Sequence, residues 1–255
     1  MIASPITRQK VTTSITACIG HTPLVQLERF CRGLMAVPVF AKLEYLNPGG
    51  SVKDRTALFM IDDAEKKGTL APGGTIIEPT AGNTGIGLAL VAAVRGYRCL
   101  FVIPERFSHE KQALMRALGA DIVHTPTKDG MEGAIAKAHE LASQIGGAVV
   151  MQQFANPANV SAHYRTTGPE IWEQMHGQVD VVVAHDTVPG MPVQGLPFLS
   201  VPWSARQRAA EHRSRLEELQ RSARPSLWVH GHCHDRATAR LGGTRFESLA
   251  HDRAG

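Results

Sequence analysis

The residue best placed for covalent chemistry is Lys53, inside "NPGGSVKDR" (residues 47–55). It follows a short apolar run, "VFAKLE" (39–44), and opens a helical period. A helix N-terminus disfavours a cation, so the ammonium form is slightly destabilised there. Lys53 is therefore read as an amine that spends part of its time neutral, the form that attacks a carbonyl to make a Schiff base. Taken alone, an ordinary surface lysine is the competing reading. A second loop lies within "EPTAGNTGIGLAL" (78–90), where Thr80, Gly82, Asn83, Thr84 and Gly85 join an apolar run to an apolar helix. Such a turn aims backbone N–H groups and hydroxyls at one spot, which suits a carboxylate or a phosphate. The alternative is tight strand–helix packing without a ligand. The G-x-G-x-x-G spacing of dinucleotide sites is absent.

Histidines form the third group. His232 and His234 stand two apart in "GHCH", after Gly231, and His185 follows the apolar run "VDVVVA" (179–184). If the two strands ahead of them are neighbours, three imidazoles meet at their carboxyl ends, as around a divalent metal. A solvated histidine-rich loop is the plainer alternative.

These groups need a scaffold, and the apolar pattern supplies one. Runs at 39–44, 75–79, 98–104, 121–126, 148–153 and 179–184 read as strands. Helical periods fill 53–67, 84–96, 109–118, 131–146 and 161–176, and Gly68, Gly96, Gly119 and Gly177 close several of them. Alternation of near-continuous apolar strands with helices predicts an α/β fold with a parallel sheet covered on both faces. Ligands in such sheets sit at the carboxyl ends of strands, where both loops fall.

At 255 residues and 43% apolar, the chain can bury one large core or two modest ones. A net charge of +4, dispersed along the chain, argues against a nucleic-acid partner. Cys18, Cys31, Cys99 and Cys233 stand far apart, so no disulfide framework or zinc knuckle is expected and a cytoplasmic location is. No run is long and apolar enough to read as a signal peptide or a membrane span. Lysine stops at Lys137 while arginine and histidine continue through the tail, which suggests that two unrelated pieces meet near Ala184.

"IGHTPLVQL", "AKLEYLNPGGSVKDR", "EPTAGNTGIGLAL" and "QQFANPANVSAHYRTTGPEIW" together resemble the cysteine synthase and cystathionine β-synthase family, over about residues 15–184. These are pyridoxal-phosphate (PLP) enzymes of the tryptophan-synthase-β-like fold. The resemblance implies that residues 1–184 form the β-replacement segment, with a complete small, cofactor-covering domain at about 45–155. It implies that Lys53 holds the cofactor and moves the α-proton, and that Asn83 hydrogen-bonds the cofactor's 3′-oxygen. It places Thr80, Ala81, Gly82, Thr84 and Gln153 around the substrate α-carboxylate. Ala81 departs from the serine usual there and removes one donor. The reaction implied is β-elimination or β-replacement on an activated serine, giving cysteine or a thioether amino acid, in a homodimer acting on a small amino-acid substrate.

After Ala184 the family pattern stops. A phosphate-cradling GxGTGGT is due, and His185, Asp186, Thr187, Val188 and Pro189 stand there instead. The large domain reads as truncated, with impaired cofactor binding. Residues 185–255 read as an unrelated α/β tail with a charged helix at 204–222, a strand at "PSLWVHGHCH" and a hairpin around "LGGTRF". "VVVAHDTVPG" through "LWVHGHCHDR" and "LGGTRF" resembles the end of a calcineurin-like metallophosphoesterase. That resemblance implies His185, His232 and His234 as ligands of a divalent metal. Two further readings stand beside the PLP enzyme: a metal-dependent phosphoesterase or metal-binding module carried by the tail, and a non-catalytic recombined or truncated chain.

Overall fold

The computed structural model describes residues 11–32 and 38–179, together with the strands 181–185, 198–201, 227–229, 240–241 and 244–245. Four strands, β3 (Thr75–Pro79), β4 (Arg98–Pro104), β5 (Asp121–Thr125) and β6 (Val149–Val150), form a parallel sheet in the order β5-β4-β3-β6. Successive side chains of a strand point to opposite faces, and both faces of this sheet are covered. Ile76, Phe101 and Ile103 turn towards α2 (Lys53–Lys66), α3 (Asn83–Arg95) and α4 (His109–Ala117), in one core with Met60, Leu88 and Met115. Ile77 and Val102 face the other way and meet Ala134 and Ala138 of α5 (Gly130–Gln144). Near-continuous apolar strands were therefore the correct signal for a sheet buried on both sides.

Helix ends agree with the glycine pattern. Gly68, Gly96, Gly119 and Gly177 all have positive φ, between 68° and 90°, a conformation that costs glycine little because it lacks a Cβ.

Two expected elements differ. The run 148–153 is a strand only at Val149–Val150, because Gln152 adopts φ 52° and turns the chain out of the sheet. The period 161–176 is three pieces: α6 (Pro157–Ala162), a π-helical segment at His163–Thr167 and α7 (Gly168–Gln174). Pro169 has no N–H to donate, and just before it the ladder slips to an i→i−5 bond from Gly168 N–H to His163 O.

A second sheet has the order β1-β2-β9-β7-β8, where β1 is Leu24–Gln26, β2 Val39–Lys42, β7 Val181–His185, β8 Phe198–Val201 and β9 Leu227–Val229. β1 is antiparallel to β2 and the other pairings are parallel. β9 lies between β2 and β7, so strands from both sides of Ala184 share one sheet. Val182 of β7, with Val179, packs on Ile171 of α7. The hairpin expected around "LGGTRF" is present as β10 (Arg240–Leu241) antiparallel to β11 (Thr244–Arg245). The expected helix at 204–222 falls outside the described residues.

A buried ionic network ties the second sheet to α2. Arg55 donates from Nε and Nη2 to the Glu44 carboxylate at 2.8 and 2.9 Å, and from Nη1 and Nη2 to Glu170 at 2.5 and 2.7 Å. Lys42 Nζ reaches Glu170 at 2.7 Å, Gln174 at 3.0 Å and the Thr22 carbonyl at 2.6 Å. Every buried charge in this network has a partner, as the loss of hydration demands. The result fixes the first turn of α2, which carries Lys53, against β2 and α7.

Candidate active site

Three loops build the site, each at the carboxyl end of a strand or the start of a helix. The first is Asn47–Lys53. Asn47 is buried, accepts the Gly20 N–H at Oδ1 and donates to Glu44, which anchors the loop. A Cβ on Gly49 would lie 2.5 Å from Asp54 Oδ1, so only glycine fits there. Asp54 Oδ2 accepts the Gly49 N–H, and burial raises its carboxyl to about 6. Ser51 Oγ accepts the Lys53 N–H at 3.1 Å, and α2 begins at Lys53 as expected. Burial lowers the Lys53 amine to about 8, against an ordinary 10.5. The direction is the one the dipole argument expected, but the cause is desolvation.

The second loop joins β3 to α3. Thr80 Oγ1 accepts the Gly82 N–H at 3.3 Å, and Gly82 is the N-cap of α3. Glycine brings no capping side chain, so the helix entry is left open to an anion. A Cβ at Gly85 would fall 2.8 Å from Thr80 Cγ2 and 2.7 Å from Met115 Cε. One at Gly87 would fall 2.9 Å from the Lys53 carbonyl oxygen. Gly87 lets α3 press against the start of α2 at Lys53, while Gly85 lets the first turn of α3 close on Thr80 and on Met115 of α4. Lys111 of α4 adds a cation: its Nζ lies 3.7 Å from where a Gly82 Cβ would be, and burial lowers its amine.

The third loop follows β6. Thr84 Oγ1 donates to Gln153 Oε1 at 2.5 Å, which joins it to the second loop. The Gln153 carbonyl accepts from Asn159 Nδ2 at 3.0 Å, and Asn159 Oδ1 accepts from Thr56 of α2 at 2.9 Å. Thr80, Ala81, Gly82, Asn83 and Thr84 thus share one turn, Gln153 is bonded to it, and Lys53 starts the helix packed beneath it.

The histidines stand apart. His185 ends β7 in the second sheet, where only its backbone is described, and His232 and His234 lie outside the described residues. Among the described residues no cluster of three His, Cys, Asp or Glu side chains is placed to hold a metal. Sequence reasoning missed Glu78, Lys111 and the Arg55–Glu44 pair. Glu78 left a signal, a lone carboxylate inside the apolar strand "TIIEP".

The parallel α/β scaffold thus places a lysine whose amine burial lowers to about 8 at one helix start, and a helix N-terminus without a capping side chain on the helix packed against it. Residues 15–185 match the pyridoxal-phosphate dependent enzyme family. The chain belongs to that family. It is 52% identical over 174 residues to the O-acetylserine dependent cystathionine beta-synthase of Bacillus subtilis, covering 68% of this chain and 56% of that protein. Cysteine synthase of Staphylococcus aureus is 50% identical over 177 residues, 69% of this chain and 56% of that protein. The chain thus spans about half the length of these curated relatives. Among solved structures, cysteine synthase of Entamoeba histolytica superposes with a TM-score of 0.69 at 40% identity, covering 76% of this chain and 57% of that one. O-ureido-L-serine synthase gives a TM-score of 0.71 at 30% identity, over 87% of this chain and 91% of that one. No helix among the described residues is long and apolar enough to cross a membrane.

Proposed function

We propose that this chain carries the cofactor- and substrate-facing part of a β-replacement enzyme acting on an activated serine, of the cysteine synthase and cystathionine β-synthase type. The observation that carries the reading is the Lys53 amine, brought to about 8 by burial at the start of α2, next to the open N-terminus of α3. Names of the relatives, which are cysteine synthases and cystathionine beta-synthases, point the same way. The donor set fits the aldehyde end of PLP and a substrate carboxylate. Lys53 would hold the cofactor and take or return the α-proton, and Asn83 would bond its ring oxygen. Thr80, Ala81, Gly82, Thr84 and Gln153 would receive the carboxylate. When bound, the cofactor supplies an electron sink for the bond changes at the substrate. The protein's residues orient the substrate and hold the proton at Nζ.

Cofactor affinity is weakened in this reading, because the sequence after Ala184 lacks the Gly/Thr-rich pattern of the family's phosphate loop. Each lost charge-assisted hydrogen bond to phosphate is worth about 1.5–3 kcal/mol, so two cost roughly a hundredfold or more in affinity. The segment 45–155 would act as the cofactor-covering unit, and pairing of two copies follows the family habit. The test is a spectral titration of the purified chain with PLP. A new visible band, absent in Lys53→Ala, supports the reading; no band at saturating cofactor refutes it.

A second reading keeps the tail as a metal-binding piece. What favours it is the parallel pairing of β7 with β9, which sets the strand that ends at His185 beside the strand ahead of His232 and His234. Zinc retained by the purified chain and lost in His232→Ala would support it, and a metal-free preparation would refute it.

A further inference from the structure

Glu78 lies deep in the molecule, 1% exposed, in the strand that leads into the Thr80–Gly85 loop. It forms no salt bridge among those found in the described residues. Its carboxylate instead accepts two consecutive backbone N–H groups, Gln152 to Oε2 at 2.8 Å and Gln153 to Oε1 at 3.1 Å. These are the first two amides past the ladder: Met151 N–H still reaches Ile77 O at 3.1 Å, and then the chain leaves the sheet. Gln152 there has φ 52°, a left-handed conformation that is unfavourable for a residue with a Cβ. A turn of this kind persists only where its surroundings hold it.

The consequence reaches the site. Gln153, set by this turn, accepts from Thr84 Oγ1 at the start of α3. The Gln152 carbonyl accepts the Ala155 and Asn156 N–H groups at 2.9 Å each, which closes the turn and starts α6. We propose that Glu78 is a positioning residue for the amino-acid carboxylate subsite: through the Gln152 and Gln153 amides it holds the strained turn that aims the Gln153 side chain at Thr84. This deepens the proposed function and rests on it for the identity of the ligand. The alternative, a carboxylate that only stabilises the core, would spread its effect through the sheet.

Hydrogen exchange on the full chain separates the two, because it needs neither cofactor nor activity. At about pH 8, where Glu78 is ionised, the segment 151–156 of Glu78→Gln is expected to exchange at least about tenfold faster, the effect of losing one charge-assisted hydrogen bond, while α3 and β4 keep their protection. Adding Gln152→Gly in that background is expected to restore most of the protection, because glycine accepts the left-handed conformation without strain. In a second arm, O-acetyl-L-serine is titrated into the PLP-loaded chain, and half-saturation is expected to rise about tenfold or more in Glu78→Gln. Unchanged exchange at 151–156, an equal rise in α3 and β4, or no rescue by Gln152→Gly would overturn the proposal. A wild-type chain blind to O-acetyl-L-serine would sink the proposed function instead, and the exchange arm would still decide the role of Glu78. Should Glu78→Gln not fold, Glu78→Asp, one methylene too short for both amides, is read by the same exchange pattern.

Discussion

Lys53 allows a quantitative prediction that does not depend on turnover. Burial brings its amine to about 8 from an ordinary 10.5. At pH 7 about one Lys53 in ten is then neutral, against about one in three thousand for an ordinary lysine, an enrichment of roughly 300-fold. Only the neutral amine adds to an aldehyde, so brief exposure to limiting PLP should mark Lys53 ahead of exposed lysines such as Lys66. Borohydride makes the mark permanent, and peptide mass spectrometry then reads the occupancy of each lysine. The Lys53 yield should climb about ninefold from pH 6 to pH 7 and about fivefold from pH 7 to pH 8, then level off above about pH 9, where the amine is almost fully neutral. Lys111, whose amine burial also lowers, is the second site to watch. Lys53→Arg, which keeps a charge but cannot add to the aldehyde, should remove the mark without unfolding the chain. The reasoning fails if exposed lysines are marked as fast as Lys53, or if its yield keeps rising to about pH 10 like an ordinary amine.

Three further outcomes follow from other parts of the structure. Burial raises Glu78 to about 7 from 4.5, so between those values the folded chain keeps a proton that the unfolded chain has released. The contribution of Glu78 to stability should therefore fall by about 3 kcal/mol as pH rises from 4.5 to 7, and urea midpoints in Glu78→Gln should lose that part of the slope. Arg55→Ala removes the guanidinium that neutralises Glu44 and shares Glu170 with Lys42, and should cost about 3–5 kcal/mol in denaturant unfolding. Arg55→Lys should recover little of it, since an ammonium cannot reproduce the forked contacts. Under the proposed function, Ala81→Ser should add a donor to the loop and tighten O-acetyl-L-serine binding by about tenfold in a spectral titration, an effect absent from the cofactor's own affinity.

The legible part of this protein is the part governed by short-range rules. Alternating apolar strands and helical periods, with Gly68, Gly96, Gly119 and Gly177 as stops, were readable because strand pleat, helix period and the left-handed cap are local properties of a few consecutive residues. The loops at Asn47–Arg55 and Glu78–Leu90 were readable for the same reason. The break in 161–176 was not anticipated, although Pro169 was its visible cause.

The family resemblance set Gln153 and the Thr80–Thr84 loop around one ligand, but the bonds between distant segments were decided by tertiary structure. Gln153 finds Thr84 across 69 residues, and Glu78 reaches the Gln152 and Gln153 amides across 74 and 75. The amine of Lys53 is tuned by burial more than by its place in a helix, and burial is a sum over neighbours that no local pattern contains. β7 shows the same division. As "VDVVVA" it was readable as a buried parallel strand, since that environment selects apolar residues whatever the partner. Its partners are β8 and β9, and β9 also pairs with β2. Strand order depends on pairings between segments far apart in the sequence, and only the folded chain determines it.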